Sequence, residues 1–161
     1  MRAQEETLKL YDLYGEMVFR ICFIHLKNQQ DAYDATQETF LKLLQDDKSF
    51  HNDEHAKAWL ITVSSNICKN MLKSFWYKNR AGSDALLLLS QEETAVNAEH
   101  NEVLEAVLRL PQKYKDLVYL HYYEGYSIEE IAKMMGKKSS TLRSRLSKAK
   151  RLLRDYLNDE S

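Results

Sequence analysis

Between Ile131 and Arg154 the chain carries nine lysine or arginine residues and no aspartate or glutamate. Cations at that density neutralise phosphate and release its condensed counterions, so the chemistry they suit is adhesion to a polyanion. Arg143, Lys148 and Arg151 share one helical face and Arg145 its flank, while Leu142, Leu146, Ala149 and Leu153 take the opposite face. Ser139, Ser140, Thr141 and Arg143 crowd the first turn, the part of a recognition helix that meets base edges in a major groove. The plainer alternative is a basic helical hairpin with a solvated face. Cap, turn, apolar stripe and charge together favour duplex DNA.

A second group of the same chemical types precedes it. Asn66, Asn70, Lys73 and Tyr77 recur at helical spacing, with Lys69, Trp76 and Arg80 beside them. Cations track phosphate, amides pair with base edges and rings stack on exposed bases, so the mixture suits unpaired nucleic acid. A polar face next to a core would give the same spacing. His51 and His55, with Asp53 and Glu54 between them, offer donors for a metal. No third nitrogen or sulfur ligand stands at metal spacing, and HNDEH misplaces the glutamate of HExxH, so no metal or other cofactor is expected. Phosphate-binding glycine loops and nucleophile-elbow motifs are missing, and Glu129-Glu130 sits where a helix dipole favours acid. Neither an enzyme nor a small-molecule substrate is expected.

These groups need helices to hold them. Four glycines and one proline punctuate 161 residues, and the apolar spacing is helical almost throughout. The fold class is therefore all-α, with two small helical domains joined by a flexible linker. Ser127 and Glu130 form a capping box ahead of Ile128, Ile131, Ala132 and Met135. Gly136 reverses the chain, and Ser139 or Ser140 caps a longer helix. Two helices across such a turn make a helix-turn-helix. Upstream, Pro111 opens a helix at its first position with Tyr114, Leu117, Val118 and His121 inward, and Gly125 closes it. From Glu102 another helical run places Val103, Leu104, Val107, Leu108 and Leu110 on its apolar side.

The first half predicts three helices. Glu5 to Lys27 turns Leu8, Tyr11, Tyr14, Val18, Ile21, Cys22 and His25 inward. After a break at Asn28–Asp31, Asp31 caps a helix over 32–44 with Ala32, Ala35, Thr36, Phe40, Leu43 and Leu44 for the core. Asp34, Gln37, Glu38 and Leu41 point elsewhere, as a solvated surface or a docking face. A polar connector over 46–54 holds Phe50 as a lid on the core. A long helix over 53–80 then buries Ala56, Trp59, Leu60, Val63, Ile67, Met71 and Phe75. The domains divide as 1–80 and 102–161, with an acidic linker over 81–101 containing a short leucine-rich turn at 86–89.

The net charge of −1 conceals this segregation. Residues 1–60 carry seven basic and eleven acidic groups, residues 61–80 four basic and none acidic, and residues 81–110 one basic and six acidic. Local basic density sets phosphate affinity, so a near-zero total excludes little. The two cysteines show no C-x-x-C spacing and suit a reducing cytosol. No charged-then-apolar leader opens the chain, and the longest apolar run, Ala85–Leu89, is far too short for a bilayer. A cytoplasmic location is expected.

Three segments in order carry a family resemblance. DAYDATQETFLKL (31–43), AWLITVSSNICKNML (58–72) and GYSIEEIAKMMGKKSSTLRSRLSKAKRLL (125–153) resemble regions 2.1–2.2, 2.3–2.4 and 4.2 of extracytoplasmic-function sigma factors, short members of the sigma-70 family. The likeness spans about Leu10 to Leu157. It implies that Asp34, Gln37, Glu38, Phe40 and Leu41 grip the clamp helices of the largest subunit of bacterial core RNA polymerase. It implies that Phe50, His51 and Asn52 capture a base flipped from the −10 strand, and that Asn66, Lys69, Asn70 and Lys73 hold that strand. Ser139, Ser140, Thr141, Arg143, Arg145 and Lys148 match positions that meet the −35 duplex. Promoter DNA, core polymerase and an anti-sigma factor, often membrane-anchored, are the implied partners. Two departures stand out: Ser140-Thr141 replaces the usual Gly-Thr, and Phe75-Trp76-Tyr77 is rich in rings that would stack on DNA or on a partner. A free-standing dimeric regulator would share the helix-turn-helix but leaves QETFLKL and the amide-rich helix unexplained. An interaction module that no longer binds DNA is the other rival.

Overall fold

The computed structural model describes residues 3–47, 49–78 and 102–159, excepting the side chains of residues 75–78 and 159. Among these residues all regular structure is helical: α1 (Gln4–Leu26), α2 (Gln29–Gln45), α3 (Asp53–Lys78), α4 (Glu102–Arg109), α5 (Gln112–Val118), α6 (Ile128–Met135) and α7 (Ser139–Asp159). The chain falls into two compact units, one holding α1–α3 and the other α4–α7. The sequence-predicted linker, with its leucine-rich turn, and Arg80 lie outside the described residues, as do the side chains of Phe75, Trp76 and Tyr77.

In the first unit α1, α2 and α3 pack pairwise around Val18, Ile21, Cys22, Ala32, Ala35, Leu43, Leu60, Ile61 and Cys68, all 2 % exposed or less. The inward face of α1 differs from its predicted stripe. Leu8 and Tyr11 are exposed, while Leu10, Met17 and Ile24 join Val18, Ile21, Cys22 and His25 in the core. A helix that touches two neighbours buries a sector wider than one stripe, and α1 meets both α2 and α3.

The α1–α2 boundary is also earlier than predicted. Lys27 takes a left-handed conformation with φ 58°, and Asn28 rather than Asp31 caps α2, its Oδ1 accepting the Asp31 N–H at 2.8 Å. In α3, Trp59, Val63 and Met71 are only half-buried; Ser64, Ser65, Ile61 and Cys68 occupy the packed side instead. Small serines allow close helix approach, and the Ser64 hydroxyl donates to the Ile61 carbonyl at 3.2 Å, so its burial leaves no orphan polar group.

In the second unit Pro111 lies just outside α5 as its N-cap, with ψ 148°, and its carbonyl accepts from the Tyr114 N–H at 3.0 Å. Tyr119–Tyr123 continues α5 as a π-helical turn, ended by Gly125 at φ 77°. The Tyr119 hydroxyl donates to Glu124 Oε1 at 2.7 Å, and His121 Nδ1 donates to the Tyr126 carbonyl at 2.8 Å. Those bonds set the chain entering α6.

Candidate nucleic-acid interface

The helix-turn-helix forms from signals local in sequence. Ser127 Oγ accepts the Glu130 N–H and Glu130 Oε1 accepts the Ser127 N–H, each at 3.1 Å, which closes the predicted capping box. Ile131 and Ala132 bury the underside of α6. Gly136 at φ 64° ends that helix, with the Lys137 N–H on the Ala132 carbonyl. The helix α7 already includes Ser139, so both candidate capping serines stand inside its first turn, and the Leu142 N–H reaches back to the Lys138 carbonyl at 3.2 Å.

Leu142, Leu146 and Ala149 seat α7 on the core, and Arg109 of α4 lies 4.2 Å from the centre of the Tyr156 ring. This seating leaves Ser140, Thr141, Arg143 and Lys148 exposed, with Ser139 and Arg145 half-buried. All six predicted residues therefore sit on the outer side and flank of one helix, within three turns. Arg143 is not idle: its Nη2 donates to Oε1 of Glu129 in the first turn of α6. A hydrogen bond from its own backbone, and then Arg143, hold the Glu129 carboxyl below the usual range. Sequence spacing does not mark Glu129 as a site residue, because its partner is fourteen positions away.

The second candidate surface is on α3. Asn66 and Asn70 line an open groove of about 390 Å³ together with Trp59, Val63 and Ile67 of α3 and Lys42, Gln45 and Asp46 at the end of α2. Lys73 is exposed one turn beyond and Lys69 is half-buried. Trp59 and Val63 belong to this groove because they lie beside the packed stripe. Their hydrophobicity pointed inward, and only the tertiary packing shows otherwise.

Phe50 is half-buried before α3, its ring 6.0 Å from Trp59 and 5.4 Å from His55, both edge-on. His51 and His55 stack at 5.6 Å, and the His51 N–H points to His55 Nδ1 at 3.4 Å. Asn52 Oδ1 accepts the His55 N–H at 2.9 Å, so Asn52 closes the first turn of α3. Among the described residues no group of three metal-ligating side chains gathers. Tyr14 reaches over from α1: its hydroxyl donates to the Asp53 carbonyl at 3.4 Å, and Lys57 lies 5.6 Å from its ring centre. Burial, then Asp53 and Glu54, push the Tyr14 phenol above its ordinary value, so it stays a donor at neutral pH. Phe50, His51 and Asn52 thus all rest on the first turns of α3, through His55 and Trp59, while Tyr14 holds the neighbouring Asp53.

The third surface is the outer side of α2. Asp34, Gln37, Glu38 and Leu41 are exposed, Leu41 at 55 %, and Gln30 Nε2 donates to Asp34 at 3.2 Å. Phe40 is different. It is 7 % exposed, in the core, with the exposed Tyr11 ring edge-on at 5.0 Å. Phe40 supports that surface from beneath, and Tyr11 extends it.

The second unit thus presents a basic face on a capped helix-turn-helix, and the first carries an amide-lined groove on α3. Comparison with known proteins names the chain's kind. Residues 10–76 match the sigma-70 region 2 family and residues 100–153 the sigma-70 region 4 family. RNA polymerase sigma factor SigV of Bacillus subtilis (strain 168) is 29 % identical over 142 residues, 88 % of this chain and 85 % of its own. ECF RNA polymerase sigma factor SigW of the same organism is 25 % identical over 170 aligned positions, 97 % of this chain and 91 % of its own. In fold, the chain resembles the sigma factor RpoE crystallised with the anti-sigma factor NepR from Bartonella quintana. The TM-score is 0.71 at 19 % identity, covering 96 % of this chain and 98 % of that one. The chain belongs to the sigma-70 family, in its extracytoplasmic-function group, and is an alternative sigma factor that directs core RNA polymerase to promoters.

Proposed function

We propose that residues 1–80 bind core polymerase and the opened −10 strand, that residues 102–161 read the −35 duplex, and that residues 81–101 join them. The observation that carries this division is the pairing of two unlike surfaces. The α7 face presents Ser139, Ser140, Thr141, Arg143, Arg145 and Lys148 on a rigid rod suited to a major groove. The α3 groove instead is lined by Asn66, Asn70 and Trp59, with Lys69 and Lys73 further on in the same helix, a combination suited to unstacked bases. Phe50, His51 and Asn52 stand at the start of α3, where an extruded base would be captured at an unstacking cost of a few kcal/mol. Asp34, Gln37, Glu38 and Leu41 supply the polymerase contact, supported by Phe40.

No helix among the described residues is long and apolar enough to cross a membrane. The protein acts in the cytoplasm, where polymerase and promoters are, and a separate anti-sigma factor keeps it inactive until a signal arrives. The solved relative bound to NepR supports that form of control.

Run-off transcription with purified core polymerase tests the division. The chain alone is expected to confer initiation at promoters that core enzyme ignores. Arg143→Ala with Arg145→Ala should abolish most −35-dependent output, since each good bidentate contact discriminates by about 1–3 kcal/mol. Phe50→Ala should spare −35 binding and impair opening. A free-standing regulator would instead need another sigma factor in the reaction.

A further inference from the structure

Glu129 stands next to the capping-box residue Glu130 but takes no part in that box. Its carboxylate turns across to α7 and accepts from Nη2 of Arg143, joining the two helices of the helix-turn-helix. The side chains of Arg143 and Glu129 are 60 % and 62 % exposed, and an ion pair so open to water contributes little to stability. Its effect is on where the guanidinium points. A guanidinium carries five N–H donors in one rigid plane, so holding it through Nη2 leaves donors for a second acceptor. Guanine presents two acceptors to the major groove, spaced for such a fork. A carboxylate at that spot also repels phosphate, which penalises the sequence-independent contact that a loose arginine would otherwise make. The Glu129 carboxyl lies below the ordinary range and so remains charged at neutral pH.

We propose that Glu129 is a positioning residue for promoter discrimination: it aims the free edge of Arg143 at one base pair and keeps that guanidinium off the phosphates. The inference rests on α7 reading the −35 element. Its test uses holoenzyme reconstituted from the full chain and core polymerase. The template is a promoter taken from transcripts that overexpression of the chain raises, with each −35 base pair changed in turn.

Arg143→Ala should flatten discrimination at one base pair. Glu129→Ala should flatten it at the same base pair by roughly fivefold to tenfold, within the range of one bidentate contact. The two substitutions together should be no worse than Arg143→Ala alone. Glu129→Gln keeps an acceptor oxygen and should retain more discrimination than Glu129→Ala. If Glu129→Ala lowers output equally on all templates, or its loss adds to that of Arg143→Ala, Glu129 is merely structural and the proposal fails. If Arg143→Ala itself leaves every −35 preference intact, the reading of α7 fails and this inference with it.

Discussion

Asp31 carries two electrostatic costs at once. It sits half-buried in the first turn of α2, and burial followed by the neighbouring Asp34 raises its carboxyl above the ordinary value. Its backbone N–H, by contrast, is well used, held by Asn28. A carboxyl whose folded pKa is raised favours the folded state most where it is protonated, below the unfolded value. That advantage is lost as pH climbs through the raised folded value. Asp31→Asn should therefore leave stability unchanged near about pH 3, where aspartates are largely protonated. At neutral pH it should make the protein more stable than the parent. Thermal melts at the two pH values check this, and a variant less stable at neutral pH would show that the helix dipole outweighs desolvation. The sequence points to Asp31 as the cap of α2. Asn28 takes that place instead, after Lys27 enters the left-handed region, which no residue type there announces.

Among the elements, the helix-turn-helix was legible almost completely and α1 only in part. Every feature of the former is a short-range signal: Ser127 three residues before Glu130, Gly136 at the reversal, Leu142, Leu146 and Ala149 on one stripe. The inward face of α1 depends on two partners distant in sequence, and Leu8 and Leu10 are equally apolar by type. The π-helical turn at Tyr119–Tyr123 and the half-exposed Trp59 were likewise decided by packing. The three surfaces emerged from residue type and family likeness; the burial of Phe40 and the Glu129–Arg143 pair needed coordinates. Two glycines allow the local account to be tested with opposite signs. An added Cβ at Gly136 meets nothing within 4 Å, but φ is +64°, so Gly136→Ala should cost about 1–2 kcal/mol through backbone conformation alone. Gly15 is inside α1, and its Cβ would meet the Tyr11 ring at an ordinary 3.6 Å. Gly15→Ala should therefore add up to about 1 kcal/mol of stability. Denaturant midpoints measured with unchanged m-values distinguish the two outcomes.

At the scale of the molecule, charge is placed rather than accumulated. The whole chain is at −1, yet residues 131–154 hold nine basic groups without an acid and residues 61–80 hold four. Each basic surface is small, and affinity for phosphate changes by a log–log salt slope of about 0.9 per phosphate neutralised, so neither surface alone holds DNA tightly at physiological salt. If the α3 surface holds the opened strand, as proposed, it has no target until that strand has opened. Polymerase removes both restrictions: it opens the duplex, and once it carries the sigma factor each unit meets its element at an effective concentration in the millimolar range. The free chain is accordingly expected to bind promoter duplex at about micromolar Kd or weaker, the range of sequence-independent contacts. Its affinity should fall steeply with salt and differ little between promoter and random DNA. Holoenzyme should bind the same promoter at least a hundredfold more tightly, as tethering of two weak modules allows. Fluorescence anisotropy on one labelled duplex, with and without core enzyme across a salt series, measures both quantities. Nanomolar, sequence-selective binding by the chain alone would mean that α7 suffices for recognition, and the division between two dependent surfaces would have to be abandoned.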